Sequence, residues 1–294
     1  MRLHKASVLS NRQFLLLVLP LAAILILFLL LPLVLGFVAT FTNYAPFQTT
    51  IRFVGLGNYR NVLQDGAFQA AVRNVVYFTG GSVSVELALG FLLAFALRKP
   101  FRGRSLIRFG LLLPWLVSPV AAGIMWHFLL NTTQGLLNYF PALFGLSELP
   151  YPLTIETAML TVIATEVWRK TPFVTFLFLP GFISIPAEQW DQARVDGLGL
   201  LHQMRHVVFP ALRVLLLTVM LLLIGDALGT FEAILMLTGG GPGTVTLTPG
   251  FYSYSQAFKA FNWRDGATSG WFIVGAVLIV GGSYIWLTRH SRTP

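Results

Sequence analysis

The sequence predicts an all-α membrane protein of six transmembrane helices, with a polar helix-turn-helix between the fourth and fifth, and three observations carry that expectation. The 294 residues are 55% hydrophobic and 11% charged, with a mean hydropathy of +0.73, whereas soluble domains carry about 25% charged residues. Six apolar runs are long enough to cross a bilayer. The cations between those runs fall mostly on one side, as the positive-inside rule requires. Residues 1–294 therefore read as a single membrane domain.

Arg2, Lys5 and Arg12 precede a charge-free run over residues 14–35, whose length as a helix is roughly 33 Å. A secretory signal would have a shorter apolar core and an A-x-A-like site, so an uncleaved anchor with a cytoplasmic N-terminus is expected. Residues 38–72 mix Pro46, Gly55, Gly57 and Asp65 and read as an outer connection with a short helix near residues 59–65. The second span, 75–97, is closed by Arg98, Lys99, Arg102, Arg104 and Arg108, a cytoplasmic turn. The third, 109–130, contains Pro114 and Pro119, which predict kinks. Residues 131–153 hold no Lys or Arg, and the fourth run, 153–182, is interrupted at Glu166, Arg169, Lys170 and Pro172. After the polar stretch 185–211 comes a fifth span, 214–237, then an outer loop to about residue 266 and a sixth span, 268–287, ending at Arg289, His290 and Arg292. Thirteen of the 20 cations lie on the side of the termini, five on the other, and Arg169 and Lys170 lie inside a span. The net charge of +9 is thus topological and needs no nucleic-acid partner.

Zero cysteines exclude a disulfide framework, thiolate metal sites and a cysteine nucleophile. The glycines at 239–243 invite comparison with phosphate-cradling loops, whose backbone N–H groups hold the anion. Such a loop also needs Gly-Lys-[Ser/Thr], and none of Lys5, Lys99, Lys170 and Lys259 follows a glycine. The chain should not hydrolyse ATP itself, and the glycines read as a tight outer turn. His202 and His206, four residues apart, could share a zinc ion, but the base of a metalloprotease is replaced by Gln203. They read as part of a solvated helix, and His127 as an interface histidine. No catalytic constellation, metal site or cofactor is expected.

Charges inside spans are better pointers, because each is unfavourable in lipid and faces a partner or an aqueous path. Glu86 lies in the second span and Asp226 in the fifth; Glu166 precedes Arg169 and Lys170 by three and four residues, so they share a helix face. Trp168 adjoins them. Pairing that only holds the bundle together and lining of a polar path both fit these residues.

The stretch 185–211 is more specific. Pro186 suits a first helical turn, Glu188 and Asp191 put negative charge near a helix N-terminus, and Gly197 with Gly199 lets one helix end and another begin. The order is Asp191-Gln192-Ala193, three residues, Gly197, nine residues, Val207-Val208-Phe209-Pro210. It resembles the cytoplasmic signature loop of binding-protein-dependent ABC importer permeases, whose pattern is Glu-Ala-Ala, three residues, Gly, nine residues, Ile, any residue, Leu, Pro. Asp191, Gln192, Val207 and Phe209 depart from that pattern, while Asp191, Ala193, Gly197 and Pro210 keep its register. Phe53-Val54-Gly55-Leu56-Gly57-Asn58-Tyr59 resembles the first outer loop of the sugar and glycerol-phosphate branch. Thr238-Gly239-Gly240-Gly241-Pro242 resembles the glycine-rich outer loop of one half of its heterodimers. The matches come in the family's order and cover nearly the whole chain.

The resemblance implies a type I ABC importer permease of the maltose type in the inner membrane. Its implied partners are two ABC ATPase subunits, a second permease subunit forming a heterodimer, an extracytoplasmic solute-binding protein and a sugar-like substrate. On this reading Glu188, Asp191, Ala193, Asp196, Gly197, Gly199 and Pro210 mark the ATPase-coupling loop, with Asp191 offering a carboxylate to a basic partner. Trp168, Arg169, Lys170, Glu166, Asp226 and Glu86 are the candidates for the translocation path. The alternative is a secondary transporter using Glu86, Asp226 or Glu166 as proton relays, and no internal repeat supports it.

Overall fold

A computed structural model describes residues 11–46, 50–131, 135–145 and 151–290. Arg2, Lys5 and Arg292 lie outside the described residues. Those described are mostly helical, with one isolated antiparallel bridge between Thr42 and Phe53.

Helix α1 runs through Asn11–Leu25, a π turn at Ile26–Leu30 and Leu31–Ala39. Its apolar window is wholly unburied, as suits a helix hydrophobic all round and facing lipid. The chain then turns back: Asn58 of α2 (Gly57–Gln64) donates its Nδ2–H to Thr40 O at 2.8 Å and Thr42 O at 2.7 Å. Helix α3 spans Gly66–Leu97, 32 residues, and starts before the expected 75 because Asp65 caps it, accepting from Ala67 N–H at 2.7 Å. The second Asp65 oxygen accepts from Tyr252 O–H at 2.7 Å.

The third hydrophobic segment is not a kinked rod. Helices α4 (Arg104–Leu116) and α5 (Pro119–Leu129) meet at 95°. The reason is local: Val117 and Ser118 are extended, Ser118 Oγ accepts from Ala121 N–H, and Pro119 occupies the first turn of a new helix. After α6 (Leu136–Leu143), helix α7 covers Ala158–Ser184 and α8 covers Ala187–Val195 at 73° to it. Pro186 is the extended residue just before α8 rather than part of its first turn.

The second helix of the polar stretch does not stand alone. As α9 it continues from Leu200, through a π turn at Met204–Val208, to Gly229. It ends eight residues short of the expected 237, where extended Thr230 separates it from α10 (Glu232–Leu237). Helices α11 (Pro249–Tyr254) and α12 (Trp263–His290) complete the chain. Among the described residues four helices are long and apolar enough to cross a membrane, and up to six spans result when each bent pair counts as one. Helix α7 passes only within such a pair, since Glu166, Arg169 and Lys170 raise its charge.

Helices α3 and α7 form the most extensive pair in the fold. They run parallel: a Cβ on Gly81 would lie 2.9 Å from Ile163 Cδ1, and one on Gly90 2.5 Å from Val174 Cγ1. Such close approach holds helices together where lipid removes the hydrophobic drive between them. Phe91 extends the seam, meeting Phe182 edge-on at 4.9 Å and stacking on Phe209 of α9 at 5.4 Å. At the opposite end Asn74 donates to Thr244 O at 2.6 Å and Leu247 O at 3.0 Å, fastening the glycine turn to α3. That turn places Gly239, Gly240 and Gly243 at positive φ, which glycine adopts without strain.

Candidate translocation site and coupling loop

The intramembrane charges of α7 converge on one carboxylate. Arg169 forks onto Glu166, with Nη2 2.7 Å from Oε1 and Nε 3.2 Å from Oε2. The Lys170 ammonium lies 2.7 Å from Glu166 Oε1 and also donates to Asp226 Oδ2 of α9. Glu166 is 2% exposed, and the cations are nearly buried. Spacing of three and four residues on a helix makes the first two contacts; the antiparallel packing of α7 and α9, which also brings Gly181 against Leu215, makes the third.

Asp226 faces the other way, into a cleft of about 650 Å³ that Arg169 and Lys170 also line. Its walls include Trp115 and Phe173, which stack at 5.5 Å, together with Thr230 and Glu232. An aromatic pair beside a few charged and hydroxyl groups is the composition of a site for a small polar ligand. Glu86 lies across the α3–α7 seam, 1% exposed, its Oε1 without a hydrogen-bond partner among the described residues. Trp168 packs edge-on against Trp126 at 5.6 Å and stands off the cleft wall. Spacing along the sequence gave no sign of Trp115, Phe173, Thr230 or Glu232, which come from three different helices and a break.

The polar stretch forms the end of the molecule that carries the basic turn. Gly197, at φ 69°, ends α8: its N–H donates to Arg194 O at 3.0 Å, and Leu198 N–H to Ala193 O at 2.9 Å. This pair of bonds is a Schellman cap, whose left-handed residue favours glycine. Gln203 then closes the corner, Nε2 donating to Leu198 O at 2.7 Å. Ala193 is buried and Gly199 precedes α9; Glu188, Asp191, Asp196 and Pro210 are exposed. Asp191 accepts from Arg194 at 2.8 Å, both side chains more than half exposed.

Trp190, which the sequence pattern did not single out, anchors this loop. The Arg98 guanidinium sits 3.4 Å from the Phe95 ring centre and 4.8 Å from that of Trp190, and Nη1 donates to Phe95 O at 2.6 Å. Helix α8 is therefore held against the end of α3 as well as joined to α7. Val195, Leu200 and Leu201 point outward, 59–88% exposed, an apolar surface on an otherwise polar loop.

His202 and His206 stack at 6.0 Å, with His206 Nδ1 2.9 Å from its own helix's His202 O, and among the described residues no group of three metal-ligating side chains occurs. His127 Nδ1 lies 2.8 Å from Leu237 O, between α5 and α10.

A bundle of bilayer-length helices with a charged cleft between them and a capped polar loop at one end defines an α-helical membrane permease. Residues 86–292 match the family described as binding-protein-dependent transport system inner membrane component, and the chain belongs to that family. It is 34% identical over 269 residues to a probable ABC transporter permease protein, y4oQ, of Sinorhizobium fredii, covering 91% of this chain and 87% of that one. It is 31% identical over 273 residues to the trehalose/maltose transport system permease protein MalF of Thermococcus litoralis, covering 92% and 91%. The sn-glycerol-3-phosphate transport system permease protein UgpA of Agrobacterium fabrum is 30% identical over 232 residues, covering 75% and 78%. Among solved structures, a chain of a bacterial ABC transporter that imports alginate superposes with a TM-score of 0.82 at 20% identity, covering 96% of this chain and 97% of that one. The shared architecture is the type I importer permease fold.

Proposed function

We propose that the chain is the permease subunit of an ATP-driven importer for sugars or a related polyol phosphate, and that it forms half of the path. The substrate class is supported by relatives named for trehalose, maltose and sn-glycerol-3-phosphate transport. Its partners are two ABC ATPase subunits, a second permease subunit and an extracytoplasmic binding protein. Both termini and the loop 185–211 face the cytoplasm, a reading supported by the thirteen cations on that side.

The observation that carries the mechanism is continuity between loop and cleft. Helix α8 is clamped to α3 by Arg98 and Trp190 and leads out of α7, which bears Arg169 and Lys170. Movement of a docked ATPase subunit at α8 is passed to α3 and α7 together. Lys170, shared between Glu166 and Asp226, is the charged link from that pair to α9. Displacing α7 against α9 alters this link at the cleft wall, which is how loop motion reaches substrate. Asp191 offers its carboxylate to the ATPase subunit when released from Arg194, and Val195, Leu200 and Leu201 supply apolar contact.

The test is affinity purification of the tagged chain from native membranes in mild detergent, with identification of co-purifying subunits and an ATPase assay. An ATPase, a second permease and activity raised by a binding protein with sugar are expected. A lone chain, or uptake that survives loss of the ATPase, would overturn the reading in favour of a secondary transporter.

A further inference from the structure

The turn that follows α3 holds the second concentration of charge in the fold. Arg98, Lys99, Arg102, Arg104 and Arg108 fall within eleven residues, and the sequence has no Asp or Glu between Glu86 and Glu148. Arg98 is committed to Phe95 and Trp190. Arg104 and Arg108 are not.

They stand one turn apart on α4, where like charges repel. No carboxylate pairs with either among the described residues. Arg104 Nη2 donates to Arg98 O at 3.2 Å. Its Nε, and the Nε and Nη2 of Arg108, are shielded from solvent with no acceptor among the described residues. Both side chains are only half-buried, so these donors remain within reach of an acceptor from outside the chain, and a donor left without one is unfavourable. Two adjacent guanidinium groups with three such donors therefore match the oxygens of one phosphate.

The position of the pair decides the source of that phosphate. Arg108 directly precedes the apolar run that begins at Phe109, and Leu106, Phe109 and Leu113 on the same helix are exposed. The guanidinium groups thus stand where hydrocarbon gives way to headgroups. A carboxylate on a soluble partner would have to enter that layer; a lipid phosphate is there already. Exposed Lys99 and Arg102 beside the pair disfavour a headgroup that carries its own cation.

We propose that Arg104 and Arg108 form a binding site for the phosphate of an anionic phospholipid, whose acyl chains lie along the exposed apolar side of α4. The proposal rests on the cytoplasmic assignment of the 98–108 turn. The site gives α4, which meets α7 and carries the cleft residue Trp115, a lipid-dependent anchor.

The full chain with its co-purifying subunits is incubated in detergent with phosphatidylglycerol or phosphatidylcholine, and retained lipid is read by native mass spectrometry. Phosphatidylglycerol is expected to be retained over phosphatidylcholine, and Arg104→Gln with Arg108→Gln to weaken its retention about 30-fold. If that variant does not accumulate, Arg108→Gln alone should weaken it about fivefold. Equal retention of the two lipids, or undiminished retention by the variants, overturns the site. So does release by inorganic phosphate, which would mark a soluble-anion site, or loss of the ATPase subunit with lipid retention unchanged, which would assign the arginines to a protein contact. Failure to recover any ATPase with the wild type strikes the importer reading and leaves the lipid measurement standing.

Discussion

Two acid–arginine pairs in this chain have the same chemistry and the same spacing of three residues, and they have opposite surroundings. Glu166 and Arg169 sit inside α7 with side-chain exposures of 2% and 11%; Asp191 and Arg194 sit on α8 with 66% and 54%. Their contact distances are nearly equal, 2.7 and 2.8 Å. What separates them is solvent. An exposed pair is worth about 0–1 kcal/mol, because water solvates the separated charges almost as well. Removing one partner of a buried pair costs about 3–5 kcal/mol, because the other charge is left without solvent or counter-ion. The buried pair therefore holds a geometry, and the exposed pair remains free to exchange partners.

The comparison is broken most sharply by Glu166→Gln, which leaves Arg169 and Lys170 together in the bundle without their shared acceptor. The expected outcome is a thermal midpoint of the detergent-purified complex lowered by an amount corresponding to about 3–5 kcal/mol. A midpoint equal to wild type would show that the cluster is solvated in the membrane. Next in size is Gly197→Pro: the cap needs φ 69° and the Gly197 N–H, and proline supplies neither. Uptake should be abolished with membrane insertion unchanged, and wild-type uptake would remove the loop from the mechanism.

Arg169→Ala should act at the cleft and spare the fold, since Lys170 still holds Glu166 at 2.7 Å. Lower uptake with normal subunit stoichiometry is expected; unchanged uptake would take Arg169 off the path. The single substitution is the cleaner probe, because replacing both cations strands Glu166. Asp191→Asn is the smallest change, shifting stability by less than about 0.5 kcal/mol. Its effect should appear instead in the ATPase activity elicited by the binding protein, and an equal loss in the Arg194→Gln variant would tie that effect to their own pairing rather than to a partner.

Much of this architecture was legible because lipid and helix geometry are strict. Apolar runs, the basic turn and the glycines at 197 and 239–243 each follow from local rules, and so does the pairing of Glu166 with Arg169. The break between α4 and α5 was legible too, in Ser118-Pro119, a capping residue followed by a first-turn proline; reading Pro119 only as a kink missed it. The early start of α3 was similarly present in Asp65. Contacts between distant segments were not available from spacing. Lys170 and Asp226 are 56 residues apart, and Asn74 reaches Thr244 across 170. Such contacts depend on which helices cross, and the apolar surfaces of several spans are too uniform to specify that. Trp190 escaped notice for a related reason: its partner Arg98 reads as one more cation of a topological cluster.

The glycine seam has a mechanical consequence. With Gly81 and Gly90 leaving no room for slip, α3 and α7 form one stiff beam whose far tip carries α8. The 27 residues of α7 make it roughly 40 Å long, with Lys170 a little short of halfway along. A tilt of about 5° about its Ala158 end would swing Ser184 through roughly 3.4 Å and Lys170 through roughly 1.6 Å. The leverage is thus reduced about twofold between the ATPase end and the cleft: a comfortable stroke at the loop becomes a displacement just large enough to stretch an ion pair, and too small to tear the bundle.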